Sequence, residues 1–339
     1  MATINDVAKR AGVSKMTVSR VINNSGYISD KTRSTVEQAI KELGYIPNAL
    51  ARSLRHKQTS TIALVITDIT NPFFTTIARG VEDAAKEHGF TVMYGNTDES
   101  QEEEIAYLTV LIQKQVDGVL LVPSHDSQAS IDLLQQHKIP FVILDRRIPD
   151  ADVDTVRGDS IGGAYTITCH LIDLGHRNIA FLGGPSHIST ARERLFGYRQ
   201  ALTDAGIDTA GNERVYAEAF NYEGGFELAQ QVIQADPMPT AIFAYNNFVA
   251  IGALHALRQA NLRVPEDISL VVFDDLPESI LIDPFFTTVV QPAYEMGQTA
   301  TQLLLKRLTD TEPSPTQDIV LPTRSVLRLS SRRLGQAED

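Results

Sequence analysis

Apolar positions recur at helical spacing in three short segments at the start of the chain. Ile4, Val7, Ala8 and Ala11 share one face over residues 4–11. Val18, Val21 and Ile22 do so over 15–23, and Val36, Ala39, Ile40 and Leu43 over 30–43. The punctuation agrees. Thr3 with Asp6 three residues later forms a capping box, Ser14 and Ser29 are N-caps, Gly12-Val13 makes a tight turn, and Gly44 closes the third helix. Two short helices joined by a glycine turn and braced by a third have the form of a helix-turn-helix. A plain three-helix bundle with a solvated face would show the same pattern. In the first reading the second helix enters the DNA major groove, with Lys15, Met16, Thr17, Ser19, Arg20 and Asn23 outward. Lys15 and Arg20 suit guanine acceptors, Met16 a thymine methyl, and the short polar groups suit phosphate oxygens.

From residue 61 the pattern changes. Apolar runs over 62–67, 90–96, 118–124, 140–146, 178–184, 241–246 and 269–275 alternate with amphipathic stretches, among them 73–87, 101–114, 161–174, 190–205 and 248–259. That alternation predicts α/β architecture, with parallel sheets covered by helices on both faces. Two doubly wound lobes are expected, over about 61–160 and 161–290. Residues 287–292 would return the chain to the first lobe, a helix over 293–308 would lie on it, and a strand over 319–329 would close near the lobe boundary. The expected domains are a headpiece (1–47), a hinge helix and linker (48–60) and a two-lobed domain (61–339). Residues 292–318 are assigned to the first lobe and 319–330 to the second. Ligands of such sheets bind beyond the C-terminal strand ends. Asp68, Asn71, Asn96, Asp98, Ser124, Asp145, Arg146, Asn246, Asp274 and Gln291 fall there, with Phe73, Phe74 and Phe220 nearby. Carboxylates, amides, an arginine and aromatic faces suit a neutral polyol. Strand-end polar residues also cap helices and turns, so each has a purely structural alternative.

Charge sharpens the division. The net charge of -12 is unevenly spread, with a balance of +6 over residues 1–57 and -18 over the remainder. A small basic module on a large acidic one points to nucleic-acid contact at the basic end. Several chemistries drop out. Cys169 is the only cysteine, so no disulfide framework or CxxC metal site is possible, and it is expected in the core. Asp150, Asp152 and Asp154 open an EF-hand spacing that fails at Thr155 and Ile161. There is no GxxxxGK[ST] phosphate loop and no HExxH pair. Neither catalysis nor a cofactor or metal is expected. With no apolar run of roughly 18 residues and no apolar core behind the first residues, a cytoplasmic location is expected.

The literal strings carry more. Thr3-Ile4-Asn5-Asp6-Val7-Ala8, Ala11-Gly12-Val13-Ser14, Thr17-Val18-Ser19-Arg20-Val21-Ile22-Asn23 and the run 44–54 from Gly44 to Leu54 resemble the opening of lactose/galactose-repressor (LacI/GalR) regulators. Asn71-Pro72-Phe73-Phe74, Asp145-Arg146, Gly184-Pro185, Ala191-Arg192-Glu193-Arg194, Asn246, Phe273-Asp274 and Gln291 extend the resemblance through a periplasmic-binding-protein-like core to about Arg328. The resemblance implies a ligand-responsive transcription regulator, a repressor of carbohydrate-utilisation genes, that binds a palindromic operator as a homodimer. It implies DNA contacts by Thr3, Ser14, Lys15, Met16, Thr17, Ser19, Arg20 and Asn23. A hinge helix would add Asn48, Ala51, Leu54 and Arg55, with Leu54 as a minor-groove wedge. It implies effector contacts by Phe73, Asp145, Thr190, Arg194, Phe220, Asn246, Asp274 and Gln291. Ile188 stands where purine-type members have an arginine, and the chain has no tryptophan, so a sugar is the expected effector. The tail after Leu329 lacks the leucine heptads of a tetramer, which leaves a dimer. The alternative is a periplasmic-type sugar-binding protein without DNA function, against which the basic headpiece speaks. A sugar-modifying enzyme would need a nucleophile or base constellation that is not legible here.

Overall fold

The computed structural model describes residues 2–46, 59–125, 128–207, 214–218, 220–276, 284–310 and 314–335. The chain divides into two compact units, Met1–Thr59 and Ser60–Asp339.

The first unit holds α1 (Ile4–Ala11), α2 (Lys15–Ile22) and α3 (Asp30–Leu43). Thr3 and Asp6 form the reciprocal capping box, each side chain accepting from the other's backbone N–H. The Ser14 and Ser29 hydroxyls accept from the amides of Thr17 and Thr32. Gly12 and Gly44 end α1 and α3 at φ of 66° and 55°, a backbone that glycine enters without strain. Val7, Ala8, Val18, Val21, Val36 and Ala39 are the buried core.

The second unit contains two six-stranded sheets. In chain order its strands and helices are β1 (Thr61–Ile66), α4 (Pro72–Glu87), β2 (Thr91–Asn96), α5 (Gln101–Gln113), β3 (Gly118–Leu121), α6 (Gln128–Gln136), β4 (Phe141–Leu144), β5 (Thr155–Gly158) and α7 (Ser160–Asp173). They continue with β6 (Ile179–Leu182), α8 (Ser189–Asp204), β7 (Val215–Tyr216), α9 (Tyr222–Ile233), β8 (Ala241–Ala244), α10 (Asn247–Gln259), β9 (Ser269–Phe273), β10 (Thr287–Val290), α11 (Ala293–Thr309), β11 (Asp318–Leu321) and β12 (Arg324–Val326). The first sheet runs β11-β5-β4-β3-β1-β2 and is parallel throughout. The second runs β12-β10-β9-β8-β6-β7 and is parallel except for its edge strand β12. Alternate residues of β1 feed separate cores on the two faces of the first sheet, Ile62, Leu64 and Ile66 on one and Ala63 and Val65 on the other. A strand buried on both faces is apolar at every position, which is why its sequence shows a run rather than an alternation.

The chain passes between the lobes three times, after β5, after β10 and after β11. Two expectations change here. Residues 287–290 belong to the second sheet, and the return to the first lobe comes only after them. The single closing strand over 319–329 is two strands. β11 pairs with β5 in the first sheet and β12 pairs with β10 in the second, so residues 319–321 belong to the first lobe. Pro322 lies between them and has no N–H with which to continue a ladder. α11 is clamped onto the first lobe by close backbone approach to α4. A Cβ added at Gly80 would lie 2.1 Å from Tyr294 O, and one at Gly297 2.2 Å from Ile77 O. Among the described residues no helix is long and apolar enough to cross a membrane.

Candidate functional site

The headpiece presents one face of α2. Ser14, Lys15, Met16 and Arg20 are exposed, as is Thr3, while Thr17, Ser19 and Asn23 are half-buried. Met16 is 65 % exposed although Val18 and Val21 on the opposite face are buried. An exposed apolar side chain between two basic ones is costly to leave in water and suits a groove edge. Ser14 and Thr17 share a hydroxyl contact of 2.9 Å, and Asn23 Nδ2 donates to Ser19 Oγ at 3.2 Å. Asn48, Ala51, Leu54 and Arg55 lie outside the described residues.

In the second unit a cavity of about 270 Å³ opens at the C-terminal strand ends between the lobes. Phe73, Asp145, Thr190, Arg194, Phe220, Asn246 and Asp274 all line it. Gln291 stands behind, its Nε2 donating to Asp274 Oδ1 at 2.7 Å, and lines an adjoining groove with Phe73 and Asp274. Local structure aims these groups. Asn71 caps α4 by accepting from Phe73 N–H at 3.0 Å, which brings Phe73 and Phe74 to the cleft. Asn246 caps α10 through Val249 N–H at 2.8 Å, and its Nδ2 donates to Phe220 O at 2.9 Å. Asp98, Glu99, Asp145 and Asp274 hold φ of 48°, 59°, 63° and 70°. Such left-handed backbone costs a non-glycine residue roughly 1–2 kcal/mol, and four instances around one cavity, three from the first lobe and one from the second, are the pattern of a functional site.

Buried charge dominates the cavity. Arg146 Nη1 and Nη2 each donate to Glu99 at 2.6 Å, and Nη1 also to Pro123 O at 2.9 Å. Arg194 Nη1 donates to Tyr245 O at 2.8 Å and to Asp274 at 3.2 Å, with its guanidinium 3.7 Å from the Phe273 ring centre. Burial pushes the Asp145 carboxyl up to about 6, while Arg146 and Arg194 pull it back. Among the described residues the buried side-chain polar atoms without a partner are Thr67 Oγ1, His125 Nδ1, Asp145 Oδ1, Arg146 Nε, Arg194 Nε and Gln291 Oε1. Four of these six belong to residues lining the cavity. Buried polar atoms are normally satisfied, so this clustering is a set of demands on a ligand.

Contacts join the lobes around the cavity. Arg147 N–H donates to Ser189 Oγ at 2.8 Å, its Nε donates to Glu193 at 3.0 Å, and Asn247 Nδ2 donates to Asn71 Oδ1 at 3.2 Å. The rings of His125 and His187 stack with centres 4.4 Å apart. Glu99 and Tyr245 were not foreseen as lining residues. Glu99 follows a turn rather than a strand, and Tyr245 looks like the end of an apolar run. Asn96 and Ser124 have structural partners instead, Asn96 with Ile69 N–H and Asp98, Ser124 with Thr97 and Glu104. Asp154, from the failed EF-hand spacing, pairs with Arg307 at 2.6 Å. Cys169 is half-buried at the edge of the second-lobe core. No cluster of three potential metal ligands occurs among the described residues.

A three-helix unit with a basic, groove-fitting face and a two-lobed unit with a polar, unsatisfied cleft together define a DNA-binding regulator with an effector domain. Comparison with known proteins gives the family. Residues 3–48 match the model for bacterial regulatory proteins of the lacI family, and residues 59–324 match the model for periplasmic binding proteins and the sugar binding domain of the LacI family. The ribose operon repressor of Escherichia coli K12 is 40% identical over 310 residues, covering 91% of this chain and 94% of that one. Among solved structures, the lac repressor dimer bound to operator and the anti-inducer ONPF matches with a TM-score of 0.85 at 30% identity, covering 98% of this chain and 99% of that one. A LacI family regulator from Enterococcus faecium with bound ribose matches with a TM-score of 0.73 at 32% identity, covering 81% and 99%. The chain belongs to the LacI family of bacterial regulatory proteins. It is a sequence-specific DNA-binding transcription regulator with an effector-binding domain.

Proposed function

We propose that the chain is a cytoplasmic repressor of carbohydrate-utilisation genes that binds a pseudo-palindromic operator as a homodimer and takes a neutral pentose such as ribose in the interlobe cleft. The observation behind the sugar is the set of unpartnered buried atoms. Asp145 Oδ1 is an acceptor and Arg146 Nε and Arg194 Nε are donors, and all three residues line the cavity with aromatic rings, the first two from one lobe and Arg194 from the other. A ring of hydroxyls both donates and accepts at close spacing, and its C–H faces cover Phe73 and Phe220. In this reading Asp145 and Asp274 accept from hydroxyls, and Arg194, Asn246, Thr190 and Gln291 complete the ring of partners. A ribose operon repressor among the relatives and a ribose-bound regulator among the structural neighbours agree with this polarity.

On the DNA side, Lys15, Met16 and Arg20 read base edges, while Thr3, Ser14, Thr17, Ser19 and Asn23 fix the register on phosphates. Asn48, Ala51, Leu54 and Arg55 contact the minor groove, Leu54 as the wedge. Sugar binding alters how two chains meet and thereby the operator affinity, a coupling of about 1–3 kcal/mol. The cleft binds its ligand without turning it over. A thermal-unfolding screen against pentoses, hexoses and nucleobases tests the effector. A ligand at about 100 times its dissociation constant adds roughly 2.7 kcal/mol to stability, and a pentose is expected to give that response. A response to a nucleobase alone contradicts the reading.

A further inference from the structure

We propose that Glu99 makes the cleft select an uncharged sugar over its phosphate ester, by keeping the charge of Arg146 already matched. The inference rests on the sugar reading above. Both terminal nitrogens of Arg146 are bound to the Glu99 carboxylate at 2.6 Å, and the two side chains are buried together, 6 % and 13 % exposed. Glu99 and Pro123 O take three of the five N–H groups of Arg146, so what it offers a ligand is Nε–H, 3.9 Å from Asp145, and one Nη2–H, with its charge already matched.

The second guanidinium in the cleft also meets a carboxylate, but through Nη1 alone, and its Nε has no partner. Arg194 is bound to Asp274 and to Tyr245 O, with the Phe273 ring against its face. Among the described lining residues there is no lysine, and the carboxylates of Asp68 and Asp98 add further negative charge. His187, close enough to Glu99 and Arg146 to feel both, has its pKa lowered by partial desolvation and by His125, which works against a positive charge there.

A phosphate monoester carries about -1.5 to -2 charge at neutral pH and is recognised through unpaired, preferably bidentate arginine. Here the Arg146 fork is already closed by Glu99, so a phosphate entering beside Arg146 would meet the Glu99 carboxylate rather than a free fork, and Arg194 carries Asp274 on its Nη1. A neutral hydroxyl needs only the remaining N–H donors of Arg146 and the Asp145 acceptor. Glu99 is thus a positioning and specificity residue. It acts on the ligand through Arg146.

Titration calorimetry of the full chain with D-ribose and D-ribose 5-phosphate at neutral pH tests this. Wild type is expected to favour the sugar by about 100-fold or more, since juxtaposed like charges cost several kcal/mol. In Glu99→Gln the side-chain shape is kept and one negative charge is lost, and the preference for the sugar is expected to narrow by roughly tenfold. In Glu99→Asp, which keeps the charge, the preference is expected to persist. Equal binding of sugar and ester by wild type overturns the proposal without any variant. Equal weakening of both ligands in Glu99→Gln also overturns it, because a purely structural role would do that. Wild type that binds neither ligand refutes the pentose reading itself.

Discussion

Asp145 is the side chain whose charge state matters most to the cleft. Burial raises its pKa from 3.8 to about 6, so the folded protein holds this proton more tightly than the unfolded chain. Its contribution to the stability of the ligand-free protein is fully present below about pH 4 and is lost as pH rises through about 6. A sugar hydroxyl donating to the ionised carboxylate reverses that preference. Effector affinity is therefore expected to rise between pH 5 and pH 7, by up to about tenfold per unit below the pKa. Calorimetry across that range checks it, and Asp145→Asn is expected to flatten the profile. Arg194 is a poor choice for a simple affinity test. Removing it leaves Asp274 buried and unpaired, a loss of about 3–5 kcal/mol in folding stability. Phe220 is 40 % exposed and outside the cores, so it gives a cleaner variant. Phe220→Ala is expected to lower effector affinity about tenfold, from lost apolar cover worth about 1.5 kcal/mol, with an unchanged thermal midpoint in the absence of sugar.

At the scale of elements, the three interlobe crossings decide how the cleft is held. A Cβ added at Gly158, the last residue of β5, would lie 2.1 Å from Gln291 Oε1, just beyond β10. These two crossings fit each other only because residue 158 has no side chain. Gly158→Ala is expected to push Gln291 off Asp274 and weaken the effector several-fold. The stability loss should stay near 1 kcal/mol, because the clash is with a flexible side-chain end and one hydrogen bond. Measured together, effector affinity and the thermal midpoint check this. Such pairings are invisible in sequence, where Gly158 and Gln291 are far apart. The helices of the headpiece were legible because each carries its own cap and its own apolar face. Doubly buried strands such as β1 were legible as apolar runs. β5 was missed because Thr155-Val156-Arg157-Gly158 has only one apolar residue, and its place in the sheet comes from pairing with β4 and β11. The wrong single strand over 319–329 came from reading period across Pro322, where the chain changes sheets. For the cleft, polarity at strand ends singled out Asp68, Asn71, Asp98, Asp145, Arg146, Asn246 and Asp274, while Thr190 and Arg194, on a helix, were reached only through the family resemblance. It could not foresee Glu99, whose importance lies in its partner Arg146.

At the scale of the whole molecule, the chain couples a basic DNA-reading unit to an acidic sensing unit, and the opposed charges fit those two partners. The acidic balance of the effector domain is unfavourable beside DNA phosphates, which leaves the basic headpiece as the DNA-reading end. Leu54→Ala is expected to weaken operator binding while leaving pentose affinity unchanged, as read by fluorescence anisotropy and calorimetry on the same preparation. The proposed function turns on a neutral sugar in the cleft controlling DNA binding. The most direct measurement is the affinity of the full chain for a palindromic duplex, selected by this chain from a randomised library, with and without saturating D-ribose. A change of roughly 5- to 150-fold in operator affinity is expected, absent in Phe220→Ala at a ribose concentration that saturates only wild type. Unaltered operator affinity in wild type with ribose demonstrably bound would contradict it.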